Sequence, residues 1–441
     1  MTGVEQRRGL VFLAMWGIQG ISLLGSTLLE FSLGVTVFQR TGSATLFALI
    51  EVCIILPMIF FMPFAGVLAD RHSRRLVMIV ANLGGAATVA VLAVAVGLGT
   101  LQVWMVYPVT LLISIFNVLL TPAYGASTPA LVPERWLSRA NGFVQFSQNV
   151  ALLIGPPIAA VLLTTVRLEG IVLVDLATFV VAAAVLLPLT IPQPEPGPET
   201  KRRNIFRQAT DGLGYIVSRR GLLSLLLFFT VLNVTAGFVT ALYTPVALSF
   251  ATVSQLSLTV AVFSSGLISG AILMMVWKGP KRRVMGVVLS GLVLGLAVML
   301  IGSRAALPAM AIGGMVVNIC ATVANVCNAT LWYSRVPQEI LGRVLGSVRT
   351  ISFAAIPLTV VVAGPLADRV FEPLLVPGGA LVGSVGQVIG VGPGRGMGLL
   401  LILAGLLSVG NGVAGLFNRA LRQVEDEPVE DAPAAAVPSQ A

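Results

Sequence analysis

Charge is scarce in this sequence. Asp, Glu, Lys and Arg make up 10% of its 441 residues, where a soluble protein carries about a quarter. Histidine is nearly absent, His72 being the only one, and there are three cysteines. Cys53, Cys320 and Cys327 all fall inside apolar runs, so they imply no disulfide framework. With one histidine, in a basic loop, they imply no metal site either. No G-x-x-x-x-G-K-[ST] stretch occurs, which excludes a P-loop ATP site. No nucleophile-and-base arrangement is visible, so the expectation is neither an enzyme nor a cofactor binder.

What the sequence has instead is apolar length. Hydrophobic residues make up 56% and the mean hydropathy is +0.96. A single soluble domain cannot bury that much apolar surface. Lipid is the alternative solvent, and runs of about 20 apolar residues are its signature. Twelve such spans are expected, near 10–38, 44–68, 77–98, 102–124, 141–166, 170–190, 221–246, 254–277, 284–302, 307–331, 344–367 and 397–417.

The cations between spans set the orientation. With the N-terminus inside, the inner segments hold twenty-one of the 27 Lys and Arg. The outer ones hold five, Arg40, Arg167, Arg304, Arg369 and Arg395, and Arg349 falls within span 11. That asymmetry places both termini in the cytoplasm, and the membrane expected is the plasma (bacterial inner) membrane. It also accounts for the net charge of +9 without nucleic acid as a partner. Arg7 and Arg8 before an apolar run mimic a signal peptide, but the run is too long and eleven more follow, so a retained first helix is expected.

Six spans precede the longest inner loop, 191–220, and six follow it. The expected organisation is an all-α integral membrane protein: a six-helix bundle over 1–190, the cytoplasmic linker 191–220, a second six-helix bundle over 221–420, and a disordered acidic tail over 421–441. Within the linker, Asn204 to Val217 has the pattern of a short amphipathic helix on the membrane surface. The halves echo each other. "VPERWLSRANGFV" from Val132 and "VPQEILGRVLGSV" from Val336 share Val, Pro, Leu, Arg, Gly and Val, and the same offset pairs Gly66 with Gly270. Two parallel repeats of this kind place a substrate site between them near the bilayer midplane.

Three acids lie within spans: Glu30, Glu51 and Asp175. An intramembrane charge costs about 3 kcal/mol on insertion scales, so it faces protein or water. Glu30 and Glu51 stand eight and seven residues from the outer ends of their spans, about 10–12 Å deep, and are expected to be neighbours. Two carboxylates away from bulk water do not both ionise readily, which makes Glu30 and Glu51 the proton-coupling candidates. Gln19 and Ser26 share the helical stripe of Glu30. For Asp175 a structural hydrogen bond is expected.

Between spans 2 and 3 stands "GVLADRHSRR", Gly66 to Arg75. Asp70 sits at the C-terminal end of span 2, where the helix dipole disfavours it, so it needs a partner among nearby cations or at another helix N-terminus. This stretch resembles the loop motif of the major facilitator superfamily. "TGSATLFALIEV", "ALVPERWLSRANG", "IGPPIA", "VDLATF" and "GPLADRVFEPLL" resemble the drug:proton antiporter branch, typified by macrolide efflux proteins and the enterobactin exporter. The resemblance implies the twelve-helix major facilitator fold, alternating access, and a monomer. It makes Gly66, Asp70, Arg71, Arg74 and Arg75 a gating loop. The loop carries Ser73 where the family has its second glycine, and the span 5 motif keeps Gly155 and Pro156 but has Ala151 four positions before. A second "LADR", Leu366 to Arg369, lies on the outer side and reads as a chance match or simple end-capping, with an outer latch as the alternative.

In that family helices 1, 4, 7 and 10 line the cavity. The candidates for it are therefore Gln19, Ser26, Asn117, Asn233, Asn318 and Asn325, together with Gln145, Gln148 and Asn149 on one face of span 5. Gly155, Pro156 and Pro157 are expected to kink that span. The expected function is export of a lipophilic or amphipathic small molecule (drug, antibiotic or siderophore-like natural product) in exchange for protons. An importer or lipid flippase on the same fold is the alternative, and a non-transporting receptor or scaffold the alternative of another class.

Overall fold

The computed structural model describes residues 3–191, 213–277 and 279–426. The side chains of residues 3–7 and of Pro63, Val67, Asp70, Arg71, Glu134, Arg135, Ser138, Gln338 and Glu339 fall outside that description. So do residues 192–212 of the expected linker and 427–441 of the expected tail.

Among the described residues, twelve helices are long and apolar enough to cross a membrane. They are α1 (Gly3–Thr41), α2 (Ala44–Arg71), α3 (Arg74–Gly97), α4 (Val103–Leu131), α5 (Glu134–Thr165), α6 (Arg167–Leu186), α7 (Arg220–Leu248), α8 (Val253–Trp277), α9 (Arg283–Ser303), α10 (Leu307–Arg335), α11 (Gln338–Leu366) and α12 (Arg395–Phe417). The turns that separate α1, α2 and α3 have local chemistry. Gly42, at φ 65°, turns the chain after α1, and the Ser43 hydroxyl accepts from the Leu46 amide to cap α2. Ser73, in the family's glycine position, accepts from the Leu76 amide and caps α3.

The chain forms two compact units, Met1–Thr200 with Ala251–Ala261, and Lys201–Phe250 with Val262–Ala441. In the first, α1 packs on α5 and α6, α3 on α4 and α6, and α2 on α4. In the second, α7 packs on α11 and α12, and α9 on α10 and α12. Once six positions are added to each helix number, the second scheme repeats four of the five packings of the first. The echoed motifs share their backbone too. Pro133 caps α5 at φ −57° and ψ 149°, and Pro337 caps α11 at φ −55° and ψ 143°.

Each unit has an apolar interior. Leu29, Leu33, Ile50, Ile113, Ile171 and Phe179 build it in the first unit, and Leu225, Phe229, Val287, Leu331 and Trp332 in the second. Large apolar side chains also point outward, Phe64, Leu98, Val276 and Phe417 among them. In water such a surface would aggregate. In hydrocarbon it is solvated, while the backbone groups are satisfied within the helices.

Helix approach in lipid depends on small residues. A Cβ added at Gly405 would stand 2.5 Å from the Gly295 carbonyl oxygen, and one at Gly398 would stand 2.7 Å from that of Gly302. These pairs let the α9 and α12 backbones touch. Gly266 and Gly270 do the same for α8 against α10, meeting Asn318 and Thr322 at 2.8 Å. Gly66, the repeat counterpart of Gly270, has no such contact: among the described residues no atom of another helix lies within 4 Å of the point a Cβ would occupy.

The ends of the expected linker and tail differ from the sequence reading. Residues 213–218 are helical, but Tyr215 and Ile216 are buried in the core of the second unit rather than spread on a membrane surface. The tail, expected to be disordered from residue 421, begins as ordered chain. Arg419–Gln423 is helical, and Leu421 and Val424 join the same core. The Glu425 carboxylate accepts from the Arg283 amide at 2.6 Å, and Arg335 donates to the Glu425 carbonyl. The acidic composition hid two apolar anchors at the right spacing to pack.

Between α11 and α12, the second "LADR" passes through a π-helical turn, Ala367–Phe371. Glu372 follows it and accepts from the amides of Gly394 at 2.7 Å and Gly396 at 3.3 Å. A carboxylate thus caps the N-terminus of α12, where the helix dipole favours it.

Candidate substrate cavity and carboxylate cluster

Three helices of the first unit each present a stripe at helical spacing to one open cavity. From α1 come Trp16, Gln19, Gly20, Ser22 and Leu23; from α4, Asn117, Leu120, Thr121, Tyr124 and Gly125; from α5, Asn141, Val144, Gln145, Ser147 and Gln148. The cavity measures about 360 Å³. Close approach of α1 and α5 comes from Gly155, where a Cβ would lie 2.6 Å from the Thr27 Cγ2, and from Gly20, where it would lie 3.2 Å from the Ser147 hydroxyl. Helix α5 runs unbroken through Pro156 and Pro157.

Of the sequence candidates, the structure brings Gln19, Asn117, Gln145 and Gln148 together here. Asn149 is exposed and outside the lining. Ser26 is 2% exposed and turned away, donating to Asp175 Oδ1 at 3.4 Å. Asn318 donates to the Phe263 carbonyl at 2.8 Å and Asn325 to the Ala321 carbonyl at 2.8 Å, while Asn233 is buried in α7. These three belong to the second unit.

Trp16, Tyr124 and Asn141 are not among the sequence candidates. Their signal is there: residues 117, 121 and 124, like 141, 145 and 148, repeat at i, i+4 and i+7, one face of a helix. The Trp16 indole N–H donates to the Phe143 carbonyl at 2.9 Å, and the two rings lie 5.1 Å apart at 48°. Its ring is held in place with no hydrogen left to donate.

Farther along α1 sits Glu30. Among the described residues, neither Glu30 nor Glu51 has a hydrogen-bond or ion-pair partner. Glu30 has both Glu51 and Asp175 as electrostatic neighbours. The expected pair is therefore a group of three carboxyls. Asp175 is 0% exposed. Its Oδ1 accepts from Ser26 and, at 3.5 Å, from Thr178, while its Oδ2 is buried without a partner. A Cβ at Gly25 would lie 2.8 Å from Asp175 Oδ1, so the glycine makes room for the acid. Among the described residues, no cation side chain pairs with any of the three.

In the gating-loop stretch, Arg74 donates to the Ala126 carbonyl of α4 at 2.6 Å. Arg75 donates through Nε to Leu186 at 3.0 Å and through its terminal nitrogen to Leu187. The pair ties the start of α3 to α4 and to the C-terminal end of α6, where a cation complements the dipole. The side chains of Asp70 and Arg71 lie outside the described residues.

A twelve-helix membrane protein built of two six-helix repeats, with carboxyls inside its spans and a cavity whose described lining is uncharged, has the construction of a secondary transporter. The sequence profile of the Major Facilitator Superfamily matches residues 11–360, and the chain belongs to that superfamily. It is 28% identical over 370 residues to macrolide efflux protein A of Streptococcus pyogenes, covering 82% of this chain and 90% of that one. It is 27% identical over 356 residues to the multidrug efflux pump Tap of Mycobacterium tuberculosis strain H37Rv, covering 75% and 81%. Among solved structures, a bacterial homologue of the human lysosomal transporter Spinster superposes with a TM-score of 0.71 at 14% identity, covering 97% of this chain and 99% of that one. The nucleoside transporter NupG gives 0.68 at 11% identity, covering 94% and 100%. At those identities the structures attest the fold. The chain is thus an integral membrane transporter of small molecules with efflux proteins among its relatives.

Proposed function

We propose that this protein exports an amphipathic small molecule from the cytoplasm in exchange for protons, by alternating access of its two halves. The observation that carries the reading is the placement, on one helix, of two different tools. Helix α1 lends Trp16, Gln19 and Ser22 to the uncharged cavity, and Glu30 to the carboxyl group with Glu51 and Asp175. A carboxyl without a counter-cation, held away from bulk water, binds and releases a proton as its access to either side changes. Substrate and proton then act on the same helix, which is what coupling requires.

The macrolide efflux and multidrug efflux relatives support the outward direction and an antibiotic-like substrate. The Lys and Arg bias supports cytoplasmic termini in a plasma membrane. A monomer is sufficient for this reading, since one chain supplies both six-helix repeats.

The test is proton movement in inverted membrane vesicles on addition of macrolides and lipophilic cations, comparing wild type with Glu30→Gln at matched expression. Wild-type vesicles are expected to release protons with at least one compound, and Glu30→Gln vesicles to release none. Full transport by the mutant would move the coupling role to Glu51 or Asp175. No proton movement by wild type with any compound would refute proton-coupled export, and uptake or lipid-flipping assays would then take its place.

A further inference from the structure

The cavity of the first unit is made of unusual material. Five amides line it, those of Gln19, Asn117, Asn141, Gln145 and Gln148, and among the described residues no charged side chain does. Among the described residues none of the five has a protein hydrogen-bond partner, and the Gln19 Nε2 is buried without one. Several amides elsewhere in the fold are packed instead, though not all, since the Asn233 Nδ2 is buried without a partner as the Gln19 Nε2 is. Asn82, Asn318, Asn325 and Asn411 each donate to a backbone carbonyl, as groups used for helix packing do. The cavity amides are left for an outside partner.

Their chemistry says which partner. A side-chain amide offers an acceptor oxygen and two N–H donors on one rigid plane. That suits neighbouring hydroxyls, each of which donates and accepts. An anion would call for Arg or Lys and a permanent cation for a carboxylate or a cage of several aromatics; among the described residues the lining has neither ion, and its aromatics are two, Trp16 and Tyr124. The Trp16 ring, locked by its bond to the Phe143 carbonyl, leaves a fixed apolar face for C–H groups at low ordering cost. The volume of about 360 Å³ is at the small end of ligand pockets, which run from about 300 to 1,000 Å³. A ring-sized group fits within it, and because the cavity is open the rest of a larger molecule can extend beyond it.

We propose that this cavity is a subsite for an uncharged, polyhydroxylated ring, a glycosyl group carried by the amphipathic substrate. The inference rests on the transport reading, since it names the polar part of the cargo. The amides grip the ring hydroxyls and Trp16 covers one face. The apolar remainder of the molecule stays outside the subsite.

The experiment is equilibrium binding to the full-length chain in lipid nanodiscs. The probes are a macrolactone bearing one uncharged hexose and the same macrolactone without it. Wild type is expected to bind the glycoside at least about tenfold more tightly, the difference a single well-made set of polar contacts supplies. Gln145→Leu and Gln148→Leu, at positions open to the cavity, are expected to bring the two affinities to within about twofold of each other. Equal wild-type affinities, or a preference kept by both variants, would overturn the subsite. Should a variant fail to fold, the wild-type comparison still decides. A glycolipid, monoglucosyl diacylglycerol, is the competing probe: if it displaces the glycoside, the hexose is read from a lipid headgroup; if it does not, from a soluble compound. Binding needs no proton gradient, so failure of proton-coupled export leaves the measurement intact. Export of glycoside and aglycone alike, with no binding preference, would remove the subsite alone.

Discussion

Asp175 and Arg75 show how one residue is used in this fold. Asp175 is sealed between α1 and α6, with Ser26 and Thr178 on one oxygen and nothing on the other. Replacing it by Leu removes the acceptor of a buried hydroxyl, at a cost of about 1–3 kcal/mol, and crowds Gly25. Asp175→Leu is expected to melt well below wild type in detergent, and Asp175→Asn, which keeps an acceptor, close to it. If both melt alike, the Ser26 contact contributes nothing. Arg75 holds the carbonyls at the end of α6. Its change to Ala is expected to lower stability by about 0.5–1 kcal/mol, read as a shift of the unfolding midpoint. A larger loss of transport than of stability would give this arginine a part in gating as well.

At the scale of elements, the second unit depends on glycines that permit contact. Gly405 on α12 meets Gly295 on α9. Gly405→Ala is expected to separate the helices and cost about 1–3 kcal/mol, whereas Gly410→Ala on the same helix, with open space around it, is expected to be neutral. Thermal unfolding of both variants checks this, and equal midpoints would show that the helices yield without penalty. Much of the element structure was legible beforehand. Apolar runs set the twelve spans, whereas the Ser43 and Ser73 caps came to light only in the structure. The glycine pairs across α9 and α12 were not legible, because contact between positions 295 and 405 is a property of two helices and not of either one.

For the whole molecule, orientation is the open quantity, and the cation bias supplies its expectation. In a chain with Cys53, Cys320 and Cys327 changed to Ala, Thr100→Cys is expected to react with an impermeant maleimide in intact cells. Arg422→Cys is expected to react only after permeabilisation. The reverse pattern would invert the topology and with it the direction of export. The repeat belongs to this scale as well. It was visible as a faint echo at Val132 and Val336, and it returns as matching proline caps and a matching order of helix packing within each unit.

The sequence by itself determined the solvent, the number of spans, the superfamily and which acids lie within spans, because hydropathy and charge are additive along a chain. Which polar groups meet was decided only in three dimensions. Glu30 is separated from Glu51 and Asp175 by 21 and 145 positions of sequence, and nothing local places the third acid beside the first two. The amides of α1, α4 and α5 likewise became one cavity only when three helices turned the same faces inward. Ser26, on the stripe of Glu30, went to Asp175 instead of the cavity. A side chain's partner depends on the rotation of its helix against its neighbours, and packing sets that rotation.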